Sequence, residues 1–236
     1  MTQVAGIDGC RAGWLVVRAL AGAWGEATAA LAPDFSTATT GARPVLVDMP
    51  VGLSEAPGGR ALDAELRTFL RDHADGLRGV GSRVFAPPSR PTLEQFRAGA
   101  DYAPLNAALP PGRRLSRQAF NITAKIAEVD AWMTPARQRW CREAHPEIAF
   151  TLLTGRTLPP KKSADGRAAR RSALAAQGFR IGRLASGLGR RTGRWGEDDL
   201  LDAAVLAWSA ARVAAGMARS FGGTRDARGL RMEVVA

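Results

Sequence analysis

Short apolar runs, bounded by glycine or proline, divide the first fifty residues of the chain. The runs at residues 4–8 and 14–20 flank a glycine-bounded turn, which predicts a β-hairpin. A third strand is expected around residues 27–31, and a short helix at residues 34–41 between an aspartate cap and a glycine stop. The run at residues 45–48 is apolar up to its last residue, which is typical of a central strand covered on both faces.

Helical spacing of the apolar residues begins after this fourth strand. Residues 59–75 and 115–133 each predict a helix, and the second of these is long. Residues 148–153 indicate a further strand, and the last helix is expected at residues 198–218. We therefore interpret residues 55–140 as a helical insertion between two strands of one sheet.

The order of these elements predicts an α/β fold. We expect a mixed sheet of about five strands flanked by helices, antiparallel at its start and parallel where strand four joins strand one. The 236 residues are enough for a single domain over residues 1–236 that carries the insertion at about residues 55–140.

The charge of the chain indicates a polyanionic partner such as nucleic acid. The formal net charge is +11, from 33 basic and 22 acidic residues. Only three of the basic residues are lysines, and codon usage in a GC-rich genome explains such an excess of arginine equally well. Net charge alone therefore leaves nucleic-acid binding open.

Cysteine, histidine and apolar usage exclude several other classes of protein. Cys10 and Cys141 are isolated, which argues against a disulfide framework or a zinc ribbon. No basic segment precedes an apolar one at the N-terminus, so we expect no secretory signal. Apolar stretches are interrupted before they reach membrane-spanning length, so we expect no membrane partner and a reduced, cytoplasmic setting.

Carboxylates end two of the predicted strands. Asp8 and Asp48 each close an apolar run, and Gly9 and Gly13 follow the first of them. A single aspartate in such a place commonly caps a turn. Two of them at the carboxyl ends of neighbouring parallel strands meet at the edge where α/β sheets bind ligands, so for the pair we favour a site.

A third acidic group opens the last helix. Asp199 and Asp202 are three residues apart and share a helix face. Capping explains an aspartate at the start of the helix, but it does not explain Asp202, which precedes an apolar run. A carboxylate in such surroundings needs a counter-charge, and Mg²⁺ or Mn²⁺ fits carboxylate oxygens. Asp198 and Asp202 are four residues apart and would share a helix face equally well, so this pair is an alternative.

These features resemble the RNase H-like nuclease superfamily, in which strands one and four each contribute an acid and a late helix contributes Asp-x-x-Asp-Ala. More closely, nearly the whole chain resembles the family called domain of unknown function 429, described as predicted RNase H-like nucleases. The matching segments are residues 6–14, 48–53, 83–88, 118–122, 125–130, 145–147, 161–162 and 198–203.

This resemblance implies a metal-dependent nuclease that hydrolyses phosphodiester bonds of DNA or RNA. Asp8, Asp48, Asp199 and Asp202 would hold two ions about 4 Å apart, with Asp198 turned outward as a cap. Glu147, in a His-Pro-Glu segment, is a further candidate ligand or water-orienting base. It could equally form a buried structural pair with Arg142 or Lys125, and His145 could either fill a turn or shuttle a proton.

Basic residues near these acids are candidates for phosphate contacts. They are Arg11, Lys125, Lys161, Lys162 and Arg167. For Arg170 and Arg171, in the same basic segment, we expect a solvated loop.

Two other functions remain open. The segment at residues 6–9 also resembles the first phosphate turn of the actin and sugar-kinase superfamily, which favours a nucleotide-dependent phosphotransferase, although only one such core is present. A catalytically inert nucleic-acid-binding module would keep the same fold.

Overall fold

The centre of the protein is a seven-stranded mixed β-sheet, in the order β3-β2-β1-β4-β5-β7-β6. The computed structural model describes residues 2–189 and 193–236. The strands are β1 (Gln3–Cys10), β2 (Gly13–Leu20), β3 (Thr28–Ala32), β4 (Val45–Val47), β5 (Cys141–Glu143), β6 (Ser220–Arg225) and β7 (Arg231–Val235).

Helices cover both faces of this sheet. They are α1 (Phe35–Ala38), α2 (Ala61–Asp72), α3 (Arg90–Arg97), α4 (Tyr102–Ala107), α5 (Arg117–Asn121), α6 (Thr123–Trp132), α7 (Pro146–Thr154), α8 (Ala164–Ala176), α9 (Ile181–Gly187) and α10 (Glu197–Ala214). Within the described part of the chain, none of them is both long and apolar enough to cross a membrane.

The sheet begins antiparallel and continues parallel. Strands β1, β2 and β3 form an antiparallel meander, and β4 pairs with β1 in parallel. Strands β5 and β7 extend the parallel part, and β6 closes the sheet against β7 in the antiparallel sense. The predicted mixed sheet and the pairing of its first and fourth strands are confirmed, but the prediction of about five strands is wrong.

The strand predicted at residues 148–153 is helix α7. Pro146 occupies its first turn, His145 caps it by accepting the N–H of Glu147 at Nδ1, and Gly155 ends it with φ +74°. Its apolar run is buried on several sides, so its periodicity does not distinguish a helix from a strand. The strand in this region is β5, which immediately precedes it.

The structure differs from the prediction in two further elements, a strand that contains glycines and a helix that is interrupted by a turn. Strand β6 contains Gly222 and Gly223, both with positive φ, and its ladder with β7 shifts register there, so no alternating pattern marks it. The long helix predicted at residues 115–133 is α5 and α6, which are separated by a turn at Ile122. Helix α10 ends four residues before the predicted residue 218.

Helix α10 packs directly across β1, β2 and β4. It comes very close to β1 at Gly6, where an added Cβ would lie 2.1 Å from the carbonyl oxygen of Ala203. Only glycine leaves room for this contact. The contact fixes the position of α10 over β1 and hence that of Asp202, the next residue toward the helix N-terminus.

A buried ion network supports the segment that follows β4. The Arg60 guanidinium lies 2.6 Å from Glu143 Oε2 and 3.0 Å from Asp63 Oδ1, and these side chains are nearly inaccessible to water. Glu143 also accepts the N–H of Val51 at 2.7 Å. The network therefore ties α2, β5 and the chain just after Asp48 to one another.

Candidate metal centre

Two acidic residues lie side by side at the carboxyl edge of the sheet. Ile7 of β1 is the ladder partner of Val47 of β4, so Asp8 and Asp48 are the next residues on adjacent parallel strands. The N–H of Asp48 donates to the carbonyl oxygen of Ile7 at 3.0 Å, which continues the pairing to the edge. The arrangement places both carboxyl groups where the strands end.

Helix α10 adds a third carboxylate. One oxygen atom from each of Asp8, Asp48 and Asp202 lies within 4.8 Å of the other two. Asp202 is 1% exposed and Asp8 7% exposed, so these two carboxylates have little direct contact with water, whereas Asp48 is half-buried. The three residues come from two strands and one helix that are far apart in sequence.

Asp199 lies outside this group of three. Its Oδ2 accepts the N–H of Gly196 at 2.7 Å, so Asp199 reaches back and caps the helix from its third position. Asp198, for which we predicted the capping role, keeps its side chain 40% exposed and lies 3.9 Å from Lys161 Nζ. Asp199 therefore makes the capping contact, whereas Asp198 has the outward orientation that we predicted for it.

Lys161 is the cation nearest the carboxylates. Its Nζ donates to Asp202 Oδ2 at 2.7 Å. Burial alone would lower the pKa of Lys161, but Asp202, Asp8 and Asp48 outweigh this effect and raise it. One ammonium can balance one of the three carboxylate charges, so the cluster still attracts further positive charge.

Burial and mutual repulsion raise the pKa of every carboxyl group in the cluster. For Asp8 the causes are burial, then the charges of Asp48 and Asp202, and its pKa is well above the usual value. Burial, followed by Asp202, raises the pKa of Asp48 to about 7. Burial also raises the pKa of Asp202, although Lys161 opposes it. The charged form of the cluster is therefore held at a free-energy cost.

The donor atoms suit a hard divalent cation. Asp202 Oδ1 is buried and has no hydrogen-bond partner among the described residues. One oxygen of Asp8 accepts the N–H of Gly9 at 2.7 Å, and the other is not held by that bond. Carboxylate oxygens are the ligands that Mg²⁺ and Mn²⁺ prefer, and a cation would both satisfy the orphaned oxygen and relieve the repulsion.

A protein-family model matches residues 6–227 of the chain, and its description is protein of unknown function, DUF429. This chain belongs to the DUF429 family. The match includes the three strand and helix segments that carry Asp8, Asp48 and Asp202. No curated protein and no solved structure matches the chain.

In this DUF429 protein, Glu147 pairs with neither of the partners considered from the sequence. Arg83 Nη1 lies 2.6 Å from Glu147 Oε2, and Arg170 Nη2 contacts Oε1. Burial would raise the pKa of Glu147, but Arg170 and Arg83 lower it below its usual value. Glu147 is therefore a doubly paired carboxylate beside the cluster, and its two arginines favour the charged form.

The expectation that Arg170 lies in a solvated loop is wrong. Arg170 is 1% exposed, and it donates to Pro159 O and Gly166 O besides contacting Glu147. Gly166, Arg170 and Leu174 recur at intervals of four and form the buried stripe of α8. That spacing is the sequence signal that could have identified Arg170 as a core residue. Arg171, next to it, is 54% exposed at its side chain.

Two cavities flank the carboxylates and contain most of the basic residues predicted to contact phosphate. A cavity of about 370 Å³ is lined by Asp48, Asp202, Lys161 and Lys162, among others. A second, of about 930 Å³, is lined by Arg11, Lys125 and Asp199, among others.

The remaining predicted cations have different surroundings. Lys125 Nζ donates to Gly13 O at 2.5 Å and lies 4.4 Å above the Trp14 ring, so it also fixes the turn after β1. Arg167 is exposed, lines neither cavity, and donates to Lys162 O at 2.6 Å. Burial lowers the pKa of His145, which lines the smaller cavity.

Proposed function

We propose that this protein is a divalent-metal-dependent phosphodiesterase that cleaves DNA or RNA. The observation that carries the proposal is the convergence of Asp8, Asp48 and Asp202 at the carboxyl edge of β1 and β4. That edge is where sheets of this kind bind ligands. The orphaned oxygen of Asp202 and the raised pKa values indicate a group of acids arranged for a cation rather than for a structural contact.

The location of the acids also supports the proposal. An acid on strand one, an acid on strand four beside it, and an acid from a late helix are the features by which the sequence resembles the RNase H-like nucleases. The antiparallel start of the sheet and the parallel β1–β4 pair agree with that arrangement. We therefore propose an RNase H-like core for the sheet and its helices.

Asp8, Asp48 and Asp202 would hold Mg²⁺ or Mn²⁺, and Asp199 would contribute negative charge from the edge of the cluster. When bound, the metal would stabilise charge on the reacting phosphate and favour deprotonation of water. Lys161 orients Asp202 through the 2.7 Å hydrogen bond and favours the ionised form of that carboxylate against the effect of burial.

The basic residues of the flanking cavities would position the nucleic acid. Lys162 lies in the same cavity as Asp48, and Arg11 lies in the cavity on the side of Asp199. Both side chains are exposed, so they can neutralise phosphates without disturbing the core. Glu147, held by Arg83 and Arg170, is better placed to support this wall than to accept a proton.

The test separates cleavage from binding. The wild-type protein with Mn²⁺ or Mg²⁺ is offered single-stranded, duplex, hybrid and branched substrates, and binding is measured in parallel over a range of salt concentrations. We expect Asp48→Asn to abolish cleavage and leave binding within a few-fold of wild type, because Asp48 contributes a ligand and little surface. Asp101→Asn, which alters an exposed acid, is the matched control and should cleave normally.

Other outcomes would replace the proposal. Salt-dependent binding with no cleavage under any metal would favour the inert nucleic-acid-binding module. Slow hydrolysis of ATP, lost in Asp48→Asn, would favour the phosphotransferase. Binding that does not respond to salt would remove the argument from net charge.

A further inference from the structure

A separate cavity, of about 490 Å³, is lined by four arginines. They are Arg139, Arg142, Arg225 and Arg231, and the rest of the lining is Pro135, Gln138 and Glu233. Arg139 lies just before β5, and Arg231 is the first residue of β7. This part of the sheet is the amino edge of its parallel strands, whereas Asp8 and Asp48 lie at the carboxyl edge.

The side chain of Gln138 holds the walls of this arginine cavity in place through the backbone of Arg231. Gln138 Nε2 donates to the carbonyl oxygen of Arg231 at 2.7 Å, and Gln138 Oε1 accepts the N–H of Arg231 at 2.8 Å. These two hydrogen bonds join the turn before β5 to the start of β7. Arg139 and Arg231 are consequently brought to one cavity although they lie 92 positions apart in the sequence.

The positive charge of this cavity is poorly compensated. Glu233 is the acid in the lining, and it lies 2.8 Å from Arg142 Nη2, so its charge is already paired. Arg225 donates to the carbonyl oxygen of Gly229 at 2.6 Å, which satisfies an N–H but does not neutralise the charge. The guanidinium groups of Arg139 and Arg231 have no hydrogen bond or ion pair within residues 2–189 and 193–236.

Two neighbouring arginines, in contrast, stack on tryptophan rings. Arg43 lies 4.4 Å above the Trp140 ring, and Arg137 lies 4.6 Å above the Trp132 ring and donates to the carbonyl oxygen of the same residue. Their charges are thus engaged by aromatic faces. Arg139 and Arg231 make no such contact with any aromatic ring of the described residues, and they line the cavity instead.

We propose that the arginine cavity binds a phosphate-bearing anion. Planar guanidinium groups match phosphate oxygens in paired, charge-assisted hydrogen bonds, and several of them around one cavity repel each other until an anion is present. The shared chemistry is the phosphate group, supplied either by a nucleic-acid backbone or by a free phosphorylated molecule. This site does not depend on the metal centre, since it lies at the opposite edge of the sheet.

The experiment measures binding of inorganic triphosphate and of a short DNA oligonucleotide by calorimetry, at low salt and in EDTA. EDTA removes divalent metal, so neither ligand can be held through the carboxylate cluster by a bridging ion. The variant is Arg139→Gln with Arg231→Gln, because both side chains are exposed and unpaired and their loss should leave the fold unchanged. The matched control is Arg78→Gln with Arg156→Gln, which removes the same charge from exposed arginines outside the cavity.

We expect wild type and control to bind alike, and the cavity variant to bind at least about tenfold more weakly. Binding of triphosphate would identify a small phosphorylated ligand, and binding of the oligonucleotide alone would identify a nucleic-acid backbone. Equal weakening in variant and control would overturn the proposal, because the attraction would then be a property of net charge. A wild-type protein that binds neither ligand would overturn it as well.

Discussion

Replacement of Asp48 by asparagine should make the metal-free protein more stable at neutral pH, by an amount that becomes smaller as the pH falls toward 4. The reason is the direction of the pKa shift, since burial and then Asp202 raise the pKa of Asp48 from 3.8 to about 7. A carboxyl group with a raised pKa favours the folded state fully below about pH 4, and this contribution is lost as the pH rises through about 7. Asparagine cannot ionise, so the variant does not lose this stability as the pH rises.

The size of the effect follows from the shift. About three pKa units correspond to a ceiling of about 4 kcal/mol at 1.36 kcal/mol per unit. Asp48 is only half-buried, and water screens part of its repulsion, so we expect Asp48→Asn to gain about 2–4 kcal/mol over wild type at pH 8. In a chain of this length that gain should raise the Tm by on the order of 10 °C.

Urea denaturation in EDTA, at several pH values between 5 and 8, gives the difference in unfolding free energy between variant and wild type. Taking this difference cancels the contributions of titrating groups that do not interact with Asp48, such as Asp130, whose pKa is shifted downward. Mg²⁺ should offset most of this difference at pH 8, because an ion that binds only the folded wild type adds about 2.7 kcal/mol at 100 times its Kd.

Two results would refute this reasoning. One is a difference between variant and wild type that does not grow with pH, which would mean that Asp48 ionises as freely in the folded protein as in the unfolded chain. The other is stabilisation of Asp48→Asn by Mg²⁺ equal to that of wild type, which would remove Asp48 from the ligands. Asp101→Asn should change the unfolding free energy by less than about 0.5 kcal/mol at each pH.

Two substitutions test the support of the site. Arg170→Met should lower the unfolding free energy by about 3–5 kcal/mol in urea denaturation, because it removes a buried partner of Glu147. Arg171→Met, at an exposed position, should cost less than about 1 kcal/mol, and equal losses would contradict the burial argument. Gly6→Ala should destabilise by at least about 1–3 kcal/mol, because the new Cβ would collide with the carbonyl oxygen of Ala203. It should also weaken stabilisation by Mg²⁺, and a variant with wild-type stability would show that α10 can move away freely.

The sequence predicts the first half of the sheet better than the second for a physical reason. Strands β1 to β4 are apolar runs between glycines and prolines, so the period of the pattern and its boundaries agree. Strand β5 has only three residues, and two of them are charged: Arg142 pairs with Glu233 on β7, and Glu143 pairs with Arg60. Strand β6 contains two glycines at a register shift. Those strands owe their place to pairing with distant residues, which local patterns do not contain.

The same distinction separates the acids of the candidate site from the groups that hold them. Asp8, Asp48 and Asp202 could be singled out because each is a charge that interrupts or ends an apolar run, and such a charge needs a partner wherever the chain folds. The identity of the partner is a different matter. Lys161 is 41 positions from Asp202, and Arg170 is 23 positions from Glu147, and both lie in a segment whose other basic residues face solvent. Composition makes that segment look uniformly solvated, and only its docking against α7 and α10 divides it into cations that balance buried acids and cations that remain free for phosphate. Net charge alone is therefore a poor guide to where this protein would bind an anion, and the unpaired guanidinium groups are the better guide.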